Sequence, residues 1–136
     1  MDDEDSGEEG RSERLAIEDS YDGGSTTLAW EDAGESVSVT LPGSIHAEYA
    51  AKTDTIVTAS TEGTIRVLDG DGSERVAFEY TLPEGCDCYT LTPSIVGDLG
   101  VTMVVAHQPP HRGETCWQHE IDIENREVGG PVAKWR

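Results

Sequence analysis

From Thr26 onward the apolar residues recur at every second position rather than every third or fourth. Val37, Val39 and Leu41 alternate with Ser38 and Thr40, and Ile45, Ala47, Tyr49 and Ala51 follow after Pro42-Gly43. Ile65 and Val67 alternate with Thr64 and Arg66. Val76, Phe78, Tyr80 and Leu82 alternate with Arg75, Ala77, Glu79 and Thr81. A period of two places successive side chains on opposite faces of a strand, so these runs predict half-buried β-strands. Asp69-Gly70-Asp71-Gly72 supplies the positive φ that a tight turn needs, and 64–82 therefore reads as a hairpin. Residues 55–60, 86–92, 101–107, 115–123 and 128–135 read as further strands, and 108–114 as a loop because Pro109-Pro110 cannot donate to a ladder. No window carries a helical stripe. The expected fold class is all-β, a small antiparallel sandwich or barrel of about eight to ten short strands.

The first 14 residues contain no apolar side chain after Met1, and acids dominate up to Asp22. Such a stretch has nothing to bury. The expected organisation is an acidic disordered tail over 1–22 and a single all-β domain over 23–136, with Leu15, Ile17 and Tyr21 as potential anchors in a transition at 15–25.

Charge changes the picture of the solvent. The chain of 136 residues carries 28 Asp+Glu against 9 Lys+Arg, a formal net charge of −19. The acidity is not confined to the tail, since residues 23–136 still hold a net −11. Lysine occurs only at positions 52 and 134, and Phe78 is the single phenylalanine. This composition resembles that of proteins from salt-in halophilic archaea. The resemblance implies surface carboxylates that hold hydrated salt cations, in a medium whose screening length is about 3 Å at molar salt. A surface this negative repels phosphate backbones, so nucleic acid is not an expected partner. No apolar run approaches the ~20 residues of a membrane-spanning helix. The N-terminus carries neither a basic n-region nor an apolar h-region, so the expected location is cytoplasmic; the alternative is an exported domain whose signal has been removed.

One stretch carries a family resemblance. DTIVTASTEGTIRVLDGDGSERVAFEY, at 54–80, has the strand, Gly-containing hairpin, strand, turn and outer strand of a β-propeller blade. Residues 44–82 resemble a blade of the WD40 and quinoprotein-like repeat families, while 86–135 match poorly and the Gly-His and Trp-Asp signatures are lacking. The resemblance implies an alternative architecture of two to three propeller-like blades, too few to close a ring of four or more.

Candidate chemistry is confined to one region. All three cysteines and three of the four histidines fall between Cys86 and His119. Cys86, Cys88, Cys116 and His119 form a Cys3His set of the kind that holds structural zinc, with His107 and His111 as alternates. Cys86 and Cys88, two apart on a strand, share a face. Cys116 and His119, three apart, diverge unless a turn or bulge intervenes at 115–118. The competing readings are packed thiols or a disulfide involving Cys116. Asp69-Gly-Asp71-Gly-Ser73 fits a hairpin turn better than a calcium loop, which wants Gly at position six and Glu at twelve. The chain has no G-x-S-x-G, H-E-x-x-H, P-loop or G-x-G-x-x-G motif.

The expected function is therefore a non-enzymatic protein-binding or self-assembling module. The alternative is a zinc protein, structural or catalytic, using the Cys/His residues. Self-association is expected at the C-terminal strand, where Gly129-Gly130-Pro131 makes a poor central strand and Trp135 needs cover.

Overall fold

The computed structural model describes residues 15–20 and 23–135, so most of the acidic tail expected over 1–22 lies outside the described residues. The described chain is all-β, with no helix. Eleven strands follow one another: β1 (Ala16–Asp19), β2 (Ser25–Asp32), β3 (Glu35–Pro42), β4 (Ile45–Ala50), β5 (Thr55–Ser60), β6 (Thr64–Asp69), β7 (Glu74–Glu79), β8 (Cys86–Pro93), β9 (Val101–His111), β10 (Glu114–Asp122) and β11 (Glu127–Lys134). They form three antiparallel meanders of consecutive strands: sheet A (β1-β2-β3), sheet B (β4-β5-β6-β7) and sheet C (β8-β9-β10-β11). Strand β1 pairs with β2 from Ala16↔Ala29 to Asp19↔Thr26, inside the stretch the sequence assigns to the tail.

The sheets stack in layers, with B in the middle. One face of B contributes Val57, Ala59, Ile65, Val67 and Phe78 to a core shared with Leu91, Val101, Met103, Val105 and Ile121 of sheet C. The other face contributes Ile45, Tyr49, Ile56 and Leu68 to a second core shared with Leu28, Trp30 and Leu41 of sheet A. This explains why β5 (TIVTAS) lacks alternation: all six residues are buried, because both of its faces are covered. The outer face of sheet A is polar by contrast. Thr27 sits opposite Thr40 and Glu31 opposite Ser36, and the two threonine hydroxyls share a 2.9 Å hydrogen bond.

Local turn chemistry follows the sequence. Between β6 and β7, Asp71 accepts from the Ser73 N–H at 3.0 Å and from its hydroxyl at 2.7 Å, closing a hairpin turn. Gly72 has φ +93°, and a Cβ there would meet Val37 Cγ1 at 3.0 Å, so the turn tip also abuts sheet A. The expected loop over 108–114 is instead the end of a long hairpin. Strand β9 continues through Pro109-Pro110 to His111, and Arg112-Gly113, both at positive φ, make the turn into β10. A bulge between Glu114 and Cys116 breaks the register beside the prolines, where the ladder needs fewer donors.

Candidate functional site

The register of sheet C decides which of the candidate residues can meet. Directly paired residues share a face. Cys88 is opposite Val105 and His119 is opposite Met103, and both partners belong to the core against sheet B. Cys86 is opposite His107, two residues beyond Val105 on the same side. Cys116 is opposite Ala106, so it faces away from sheet B. The structure thus brings Cys86, Cys88 and His119 to one face with His107, and places Cys116 on the other. The bulge lies at Thr115, before Cys116, and from Cys116↔Ala106 to His119↔Met103 the pairing with β9 is regular, so Cys116 and His119 stay on opposite faces. All three cysteines are free thiols. Among the described residues no three His, Cys, Asp or Glu side chains meet at one point as a metal cluster.

What forms instead is a chain of three side chains that ends on a backbone carbonyl. The Cys86 Sγ lies 3.5 Å from His107 Nδ1, His107 Nε2 lies 3.0 Å from His119 Nε2, and His119 Nδ1 lies 2.7 Å from the Gly129 carbonyl oxygen. A carbonyl can only accept, so His119 carries its proton on Nδ1 and presents a lone pair at Nε2. His107 must then donate from Nε2, which leaves its Nδ1 to accept from the Cys86 thiol. The direction of every hydrogen bond is fixed by that one carbonyl. Both imidazoles are buried. Burial pushes the pKa of His107 down, and the nearby His111 adds to this. Burial also pushes His119 down, opposed by the Gly129 hydrogen bond and reinforced by His107 and His111. The neutral forms are favoured, as the chain of hydrogen bonds requires.

His111 stands beside this pair. Its ring centroid is 5.5 Å from that of His107, and its edge meets Trp117 at 5.0 Å. The Trp117 indole N–H donates to the carbonyls of His111 and Glu114 at 3.1 and 3.0 Å, which anchors the hairpin end. His107 and His119 open onto a groove walled by 81–83 on one side and 127–131 on the other.

Cys88 is chemically separate from this chain. It is half-buried beside the Tyr80 hydroxyl, which donates to the Ser60 carbonyl at 3.0 Å. Burial pushes the Cys88 thiol up to about 11 and raises Tyr80 as well. Two outcomes are expected. Iodoacetamide at pH 8 should label Cys88 more slowly than the same thiol in urea-unfolded protein, by at least about tenfold, because the thiolate is the nucleophile. The folded state also retains protons that the unfolded chain loses above pH 9, so stability is full below that value and falls as pH rises from 9 towards 11. Equal labelling in the two states would show that the thiol is not held protonated.

The opposite face of sheet C carries a second feature. Tyr89 is the extra residue of the bulge between Cys88 and Thr90, and Trp135 continues β11, its N–H donating to the Cys116 carbonyl at 3.2 Å. Strands β8 and β11 are the two edges of the sheet, yet the Tyr89 and Trp135 rings meet with centroids 5.7 Å apart. The rings therefore reach across the outer face, over the row that holds Ala106 and Cys116, and Val104 beneath is fully buried. Tyr89 remains 56% exposed and Ile95 95%. Neither Tyr89 nor Ile95 was marked by alternation, because one sits in a bulge and the other in the 94–100 loop.

No family model matches this chain, and no match is found among curated proteins or solved structures. The fold and these two faces define it as a three-layered antiparallel β-sandwich domain.

Proposed function

We propose that this domain is a non-enzymatic module that works by protein association, with the outer face of sheet C as its recognition surface and a second copy of the chain as its partner. The observation that carries this reading is the contrast between the two outermost faces. Sheet A ends in a polar threonine and serine surface, whereas sheet C presents Tyr89 and the Trp135 ring, with Ile95 on its covering loop. Apolar surface concentrated on one side of a strongly charged protein marks an interaction site. Strand β11 is an open edge of that sheet, and Lys134 near its end is one of only nine bases on a chain of net charge −19, so it offers a positive counterpart to the acidic surface of a second copy. Molar salt screens the −19 repulsion between copies and strengthens apolar burial.

Light scattering in 2 M KCl is expected to give a dimer mass. The double variant Tyr89→Ser, Trp135→Ala should be monomeric with an unchanged β circular dichroism spectrum, and Lys134→Glu should raise the dimer dissociation constant by about tenfold. A monomer mass for the parent protein at high micromolar concentration would overturn the reading, as would a dimer indifferent to the double variant.

A further inference from the structure

His107, His111 and His119 are brought together on the face of sheet C that looks towards sheet B, and the association reading above makes no use of them. His119 is opposite Met103, four residues before His107 on β9, so the two imidazoles meet only by reaching along the face. They arrive Nε2 to Nε2 at 3.0 Å with centroids 5.2 Å apart. Two imidazoles bound to one tetrahedral zinc-class ion at about 2.0–2.1 Å each have their nitrogens about 3.3 Å apart and their ring centres about 5 Å apart. The observed pair falls within a few tenths of an ångström of that arrangement. The support behind each ring is also of the kind metal-binding histidines use. The far nitrogen of His119 is held by the Gly129 carbonyl and that of His107 by the Cys86 sulfur.

We infer that His107 and His119 form a preorganised pair that captures a zinc-class divalent ion from the groove, with His111 as the third imidazole and water in the open fourth position. Capture replaces the proton now shared between the two Nε2 atoms. That proton leaves His107 Nε2 while Nδ1 takes one from solvent, so the ring changes tautomer without a net loss of protons. The Cys86 sulfur then accepts a hydrogen bond where it had donated one. His111 already lies 5.5 Å, centroid to centroid, from His107, and it has to turn its ring towards the pair, since no three ligands converge as the rings stand. Its backbone stays fixed by the Trp117 indole. Imidazole nitrogen suits zinc, cobalt, nickel and copper, and it discriminates against magnesium and calcium, which the chain's many carboxylates would take. The Cys3His alternative drawn from the sequence is not this site, because Cys116 faces the other way.

Cobalt(II) titration of the full chain in 2 M KCl with excess magnesium tests the inference. One cobalt ion per chain should bind with the visible bands of a four-coordinate site and without a thiolate charge-transfer band. His107→Ala and His119→Ala should each abolish uptake, His111→Ala should weaken it about tenfold or more, and Cys116→Ala should leave it unchanged. His119→Gln keeps the side chain near its original size, and its melting curve shows whether lost binding reflects lost ligand or lost fold. Absence of uptake by the folded parent protein would overturn the inference. So would uptake that persists in folded His119→Gln, or a thiolate band that disappears with Cys116. Loss of dimerisation in the Tyr89, Trp135 variant would not affect cobalt uptake, so the two readings fail separately.

Discussion

Dialysis from 2 M KCl to about 10 mM salt is expected to unfold the domain, with loss of its β circular dichroism. The screening length grows from a few ångströms to about 30 Å over that change, so carboxylates on all three sheets come to feel one another. With 28 acids against 9 bases, most have no base to pair with, and the ion pairs Arg66–Glu74 and Arg75–Asp69 involve partly exposed side chains. Exposed pairs of this kind contribute about 0–1 kcal/mol each. Low salt also weakens the apolar term, and the cores it must sustain consist largely of Val, Ile, Leu and Ala. Refolding on return of KCl should restore the spectrum. A melting temperature that is the same in 10 mM and 2 M KCl would contradict the argument, because the repulsion would then be too weak to matter.

Trp30→Ala is expected to destabilise the protein by about 3–5 kcal/mol, measured by urea unfolding in molar KCl. Trp30 is 3% exposed and sits in the core that joins sheet A to sheet B. Its indole N–H also donates to the Gly70 carbonyl at 2.7 Å, tying β2 to the β6–β7 turn across the layers. Total stabilities of about 5–15 kcal/mol make such a loss a large fraction of the whole. Trp30→Phe should retain much of the apolar contact but leave the carbonyl without its donor, with a smaller loss of about 1–3 kcal/mol. An alanine variant within 1 kcal/mol of the parent would mean that sheet A is not held by this side chain.

The strands were legible wherever one face is wet. Val76, Phe78 and Tyr80, and the Val37–Leu41 run, alternate because solvent lies on one side of β7 and of β3. Strand β5 was legible only as a short apolar run, since covering both faces removes the alternation that would mark it. Pro109-Pro110 was read as a loop signal because proline lacks a donor; the hairpin tolerates both residues where a bulge has already interrupted the ladder. In the candidate site, parity correctly warned that Cys116 and His119 diverge. The clustering of cysteine and histidine between 86 and 119 falls on sheet C, where the register puts Cys86, Cys88, His107 and His119 on one face and Cys116 on the other.

By itself the sequence determined the all-β class, the turn at 69–73, the edge position of the last strand and the acidity of the surface. These depend on local backbone preferences, on a period of two, and on charge counts, all of which are carried by neighbouring residues. Only the tertiary structure decided that there are three layers with β5 in the middle, and that Tyr89 and Trp135 meet across the outer face. It alone brought His107 to His119 from positions four residues out of register. Those outcomes depend on strand register, on bulges that shift it by one residue, and on which sheet covers which face. Shifting a strand by one residue exchanges its two faces without altering its pattern, so no reading of the pattern alone could have placed those side chains.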